Sequence, residues 1–205
     1  MDDKIPTSKE RNDMIQIGIL DLQGDVQEHF NAIQKALDKM KIQAQVLKVK
    51  TSSEVSKCQG LIISGGESTV IGKLLKEEGI DQVIKDCEIT VLGTCAGMVV
   101  LGRFTGYEQP LIGLIDMQVK RNGFGGQKLS FEEVIRIFDQ NFRGIFIRAP
   151  YASKVGDGVK ILAKLKDKIV AVSEGRYIAT AFHPELTEDT RIHEYFIKEV
   201  LKCVE

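Results

Sequence analysis

Val91-Leu-Gly-Thr-Cys-Ala-Gly-Met-Val-Val-Leu101 sets one cysteine among small residues, with apolar runs on both sides. A packed core would want bulk at such a place. Ile89 to Gly93 reads as a buried strand and a helix opens near Ala96, so Cys95 falls in the tight turn between them. Small neighbours at Gly93, Ala96 and Gly97 suit a strand-to-helix elbow of the G-x-S-x-G kind, in which the reactive atom projects from a cramped backbone. The free N–H groups and dipole of the helix that follows favour a thiolate at that point. The competing reading of Cys95 is small apolar filler, a common use of buried cysteine. Cys58, Cys87 and Cys203 lack the elbow and read as packing or surface thiols.

The elbow belongs to a series. Ile15 to Leu20 reads as a strand, and Val26 to Met40 carries apolar residues at helical spacing (Val26, Phe30, Ile33, Leu37, Met40). Gln45 to Val49 is a second strand; Gly60 to Ser64 is a third, followed by the turn "GGEST" and a helix over Val70 to Glu78. Strands alternating with helices predict an α/β fold, a doubly wound, mostly parallel sheet with helices on both faces. The second half changes character. Ile115 to Lys120 and Gly144 to Arg148 read as strands, and Val159 to His183 reads as antiparallel hairpins turning at Lys166-Asp167 and Glu174-Gly175. An amphipathic helix over Arg191 to Val204 closes the chain. With no repeat or linker, residues 14–205 are expected to form one domain. The polar, patternless stretch 1–13 is expected to be a flexible N-terminal tail, with Met14 a candidate original start.

Composition narrows the partners. Lys and Arg number 28 against 29 Asp and Glu, interspersed, for a net charge of −1, which gives nucleic acid or anionic lipid no basic stripe to hold. The uncharged run Ile89 to Gly102 is fourteen residues, short of the roughly 18 to 20 a membrane span needs. The four cysteines and three histidines show no metal-like or disulfide-like spacing, so no cofactor or metal is expected, and a soluble cytoplasmic protein is.

A thiol nucleophile needs a base, and the base an orienting partner. His29 falls within the first helix and His193 within the last, where a solvated imidazole is expected. His183 ends an alternating segment and precedes Pro184, which favours extended backbone, so Glu185 at i+2 is expected beside its ring. The alternative is a plain strand-end His-Pro turn with a surface Glu. Attack on a carbonyl develops an oxyanion that fixed N–H donors stabilise; Gly65-Gly66 and the N–H of Ala96 are candidates. An ordinary βα turn would use the same glycines. Glu67, Arg121 and Arg148 would suit the ammonium and carboxylate of an amino acid, though a lone Arg is commonly a solvated surface residue.

Together "GTCAG", "FHPELT", "GGEST", "QGDVQEH", "RNGFGGQ" with "SFE", and "FIRAP" resemble the glutaminase subunits of pyridoxal 5′-phosphate synthase complexes, which are class I triad glutamine amidotransferases with a flavodoxin-like fold. The resemblance runs from about Met14 to the C-terminus. It implies hydrolysis of L-glutamine with Cys95 as nucleophile, His183 as base and then acid, Glu185 as orienting carboxylate, and Gly66 and Ala96 as oxyanion donors. It further implies glutamine contacts from Gly66, Glu67, Ser68, Arg121, Ile147 and Arg148. Ammonia would pass to a synthase subunit, in an assembly of twelve and twelve, with activity raised by docking near Gln23 to His29. One departure stands out: the family's F-G-R-Q reads Phe124-Gly-Gly-Gln127, with glycine at 126 where an arginine is usual. A non-catalytic scaffold or regulatory subunit would not need Cys95, His183 and Glu185 together. A related γ-glutamyl or cysteine hydrolase would not need "RNGFGGQ" and "FIRAP".

Overall fold

The computed structural model describes residues 14–125 and 130–203. The tail expected over 1–13, the glycine at 126 and the end of the last helix at 204 lie outside the described residues. In chain order the elements are β1 (Ile15–Leu20), α1 (Val26–Met40), β2 (Ala44–Val49), α2 (Ser52–Val55), β3 (Gly60–Ile63), α3 (Ser68–Glu77), α4 (Ile80–Asp86), β4 (Thr90–Thr94) and α5 (Ala96–Leu101). There follow β5 (Gly102–Thr105), β6 (Ile115–Lys120), β7 (Ser130–Ile137), β8 (Gln140–Ile147), β9 (Tyr151–Val155), β10 (Lys160–Leu165), β11 (Lys168–Glu174), β12 (Tyr177–Thr180) and α6 (Arg191–Lys202).

The large sheet runs β2-β1-β3-β4-β12-β11-β9-β6-β5, with β10 added on β11. Its first five strands are all parallel. From β12 outward the pairing turns antiparallel through β11, β10, β9 and β6. The change follows from loop length: two-residue turns join β10 to β11 and β11 to β12, and a turn that short can only reverse the chain. The hairpin turns expected at Lys166-Asp167 and near Gly175 are both present, with Lys166 and Gly175 at φ 55°.

β3 and β4 are buried along their whole length, as strands covered on both faces must be. A side chain added at Gly60 would press on Phe196 and Val200 of α6, whereas Ile63, three residues on and so on the opposite face, abuts Gly97 of α5. α1 packs beside α6 and α3 beside α5, which places one helix pair on each face. The inward stripe of α1 buries Val26, Ile33, Ala36 and Leu37, each large apolar side chain contributing about 1.5–3 kcal/mol. A left-handed Lys41 (φ 56°) then ends the helix.

The strand expected over Gly144 to Arg148 is longer and has a partner. β8 pairs with β7 in a separate antiparallel ribbon whose two-residue turn, Phe138-Asp139, has both residues at positive φ. The ribbon packs on the main body through its aromatic face, where Phe142 and Phe146 lie 5.3 and 5.7 Å from Phe182.

Candidate active site

Four neighbouring parallel strands, β1, β3, β4 and β12, end at one place, where a doubly wound sheet leaves a crevice for ligands. A cleft of about 280 Å³ opens there. Its wall includes Cys95 and Ala96 after β4, Gly66, Glu67 and Ser68 after β3, and His183 beyond β12. Arg121, Ile147 and Arg148 complete the set read from the sequence, and Glu185 sits behind His183. Gly24, Asp25, Val99, Asn122 and Pro150 also line the cleft and were not among the residues picked out as site candidates.

Cys95 occupies the elbow with φ 50° and ψ −103°, a conformation that costs a non-glycine residue about 1–3 kcal/mol. Close packing enforces the turn. A side chain at Gly93 would meet the Leu101 methyl at 2.6 Å, and one at Gly97 would overlap the carbonyl of Ile63. The Cys95 N–H donates to the Thr180 carbonyl (2.8 Å), and its thiol reaches the Ile147 carbonyl at 3.7 Å. The residue is 9% exposed, on the boundary between core and cleft.

His183 is anchored from its backbone, the N–H donating to the Ile145 carbonyl of β8 at 2.8 Å. Nδ1 lies 2.7 Å from Glu185 Oε1. The pairing was expected; its backbone was not. β12 stops at Thr180, and Pro184–Leu186 form a 3₁₀ turn rather than extended chain. Proline suits the first position of such a turn, since its ring presets φ and it has no N–H to leave unpaired. Burial disfavours the imidazolium, but the Cys95 sulfur and the Glu185 carboxylate outweigh that and push His183 up to about 10. The ring therefore carries its proton at neutral pH beside the thiol. Burial raises Glu185, with the bond to His183 opposing.

Around this centre the charges are already paired. Glu67 lies between Arg121 (Nη2–Oε2 3.3 Å) and Arg148 (Nη1–Oε1 3.7 Å), and Arg148 itself sits at φ 43°. Ser68 Oγ donates to Gln109 Oε1 (3.1 Å), which also receives Arg121 Nη1 (3.4 Å). Two residues of the "QGDVQEH" segment reach in. Gln23 Oε1 accepts the Glu67 N–H at 2.8 Å, and Asp25 Oδ2 stands 3.3 Å from His183 Nδ1. Asp25, His183 and Glu185 form the one metal-capable group among the described residues. Nδ1 carries the proton it gives Glu185, which leaves it no lone pair for a cation there.

His29 and His193 require a correction: neither imidazole is solvated, both having 0% exposure. Helical spacing held the signal. His29 lies three residues after Val26 and four before Ile33, and His193 lies three before Phe196 and seven before Val200, so each falls on a buried stripe. Burial, then His193 and His183, hold His29 well below the usual histidine range, and burial holds His193 down to about 4. Unfolding restores ordinary histidines near 6.5, so between pH 6.5 and 4 the unfolded chain binds more protons and stability falls with pH. His183 adds nothing in this window, its contribution being complete below 6.5 and lost as pH rises from there through 10; Glu185, held up by burial, acts in the opposite sense to the two buried histidines. His193→Gln is expected to remove about 2–3 kcal/mol of the drop in urea-unfolding free energy between pH 6.5 and 4.5. An unchanged drop would mean that His193 is not held neutral.

Residues 19–202 match the SNO glutamine amidotransferase family. The chain belongs to this family. The pyridoxal 5′-phosphate synthase subunit PdxT of Methanobrevibacter smithii is 57% identical over 195 residues, covering 94% of this chain and 100% of the relative. PdxT of Methanothermobacter thermautotrophicus is 58% identical over 192 residues, covering 94% and 100%. A solved glutamine amidotransferase matches with a TM-score of 0.80 at 41% identity over 90% of this chain and 98% of that one. A glutamine amidotransferase from Thermotoga maritima, at 11% identity and a TM-score of 0.64 over 94% and 99%, shares the fold. The family and fold expected from the motifs are those found. No described helix is long and apolar enough to cross a membrane.

Proposed function

We propose that this chain, as one domain over 14–205, hydrolyses L-glutamine to L-glutamate and ammonia and passes the ammonia to a separate subunit that builds pyridoxal 5′-phosphate. The observation that carries the reading is the meeting of Cys95, His183 and Glu185 at the carboxyl ends of β4 and β12, in a member of a glutamine amidotransferase family. The thiolate of Cys95 attacks the γ-carbonyl of glutamine, and the oxyanion forms against the N–H groups of Gly66 and Ala96. The His183 imidazolium gives its proton to the departing nitrogen as the C–N bond breaks, leaving a γ-glutamyl thioester and ammonia. Neutral His183 then takes a proton from water, whose oxygen displaces sulfur to give glutamate. Glu185 keeps the ring oriented throughout.

Glu67 takes the substrate ammonium, and Arg121 and Arg148 its carboxylate, exchanging their mutual pairing for the zwitterion; Ser68 and Ile147 flank it. The names borne by the Methanobrevibacter and Methanothermobacter relatives support the pyridoxal phosphate branch. The partner is the synthase subunit, in a cytoplasmic assembly of twelve and twelve. Ammonia release from glutamine, measured for the chain alone and with that subunit, is expected to rise at least about tenfold on mixing. No release in either condition would favour the scaffold reading.

A further inference from the structure

We infer that His29, in its Nε2–H tautomer, is a positioning residue that holds Glu185 ionised and fixed behind His183, and that His193 sets that tautomer. The inference rests on the active-site reading above, but its central claim concerns proton placement and can be tested without turnover. Glu185 has a side chain with 0% exposure, and only one of its oxygens, Oε1, is bonded to His183. Oε2 is buried and makes no conventional hydrogen bond among the described residues; His29 Nε2 stands 3.3 Å from it. A carboxylate left there without a positive hydrogen nearby would tend to protonate, and a neutral acid orients an imidazolium poorly.

The proton positions follow from what each neighbour can do. His29 Nε2 faces two oxygens, Glu185 Oε2 and, at 3.1 Å, Thr94 Oγ1, and an ionised carboxylate can only accept. The Thr94 hydroxyl can donate or accept, but a bare Nε2 would set its lone pair against the carboxylate, whereas an Nε2–H suits both oxygens, so the hydrogen is assigned to Nε2. His29 is fully buried and held neutral, so Nδ1 is a bare acceptor, and His193 Nε2, 3.3 Å away, must donate to it. That leaves His193 Nδ1 unprotonated, and this atom has no hydrogen-bond partner among the described residues. An unpaired lone pair is the less costly orphan, an unpaired N–H the more costly. All the protons point one way, from His193 through His29 to Glu185. The titratable groups around His29 are His193 on α6 and Glu185 and His183 on the segment after β12, with Asp25 beyond His183.

Nitrogen-15 NMR of the intact chain at neutral pH reads the tautomers directly. The expected result is neutral His29 protonated at Nε2 and neutral His193 protonated at Nε2; a His29 protonated at Nδ1, or an imidazolium at either position, overturns the inference even if glutamine is hydrolysed. Kinetics with the synthase subunit present give the second test. His29→Leu is expected to lower kcat roughly 10- to 100-fold with KM little changed, and to move the acid limb of the pH profile up by about one unit. His29→Gln, which offers an amide N–H where Nε2–H stood, is expected to restore most of both. A His29→Leu enzyme with the original acid limb, or a His29→Gln enzyme no better than it, rules the role out. Failure of the unaltered chain to hydrolyse glutamine, with the tautomers as assigned, would count against the function and not against the proton placement.

Discussion

Cys95→Ser is expected to lose glutamine hydrolysis by a factor on the order of 10⁴ or more while the protein stays folded. Oxygen replaces sulfur at little change in volume, and a serine hydroxyl can still donate to the Ile147 carbonyl that the thiol contacts. The strained elbow is set by Gly93 and Gly97 and not by the side chain at 95. What changes is the nucleophile. Oxygen is a far weaker nucleophile toward an amide carbonyl than sulfur in this setting, so the substitution removes bond-making power and leaves packing alone. Ammonia release with the synthase subunit present, together with the unfolding midpoint, checks both halves. Turnover within about tenfold of the original would remove Cys95 from the mechanism. His183→Asn should lose comparably, and Glu185→Gln less, because an amide oxygen can still accept from Nδ1 although its charge is gone.

Gly97→Ala is expected to cost about 3 kcal/mol or more in unfolding free energy, enough to threaten folding altogether. The added methyl would overlap the Ile63 carbonyl, a backbone atom in a fully buried strand paired on both sides, so neither partner can rotate away. The only relief is to lift α5 off the sheet, and that lift would carry the elbow at Cys95 with it. Gly106→Ala is the control. Nothing lies within 4 Å of a side chain there, and the change should fall within about 0.5 kcal/mol. Urea unfolding of both variants decides the matter; a Gly97→Ala protein as stable as the control would show that the helix approaches the strand less closely than described.

Much of the parallel half was legible because its strands and helices announce themselves by period. β1 and β6 have the limits that their apolar runs suggest, and α1 spans the same Val26 to Met40. The elements not anticipated are those with weak periods. α2 has four residues, α4 has seven, and β7 carries two glutamates and an arginine on an edge ribbon where solvent accepts charge. β9 begins right after a proline that reads as a loop signal. The candidate site was legible where a turn forces chemistry into the open, as at Cys95, or where one dipeptide limits the backbone, as at His183-Pro184. Asp25 and Gln23 were less so, since their proximity to His183 and Glu67 depends on β1 lying next to β3, a matter of strand order. His29 and His193 were misread by residue type: a polar side chain on a buried stripe signals a hydrogen-bonded pair, and spacing outweighed polarity.

The two-stranded β7–β8 ribbon has a mechanical consequence. One of its carbonyls, at Ile145, holds the imidazole's own backbone, and another, two residues along at Ile147, meets the sulfur. The seating of His183 and of the Cys95 side chain is thus tied to one strand, and a change in how the ribbon packs would shift both together.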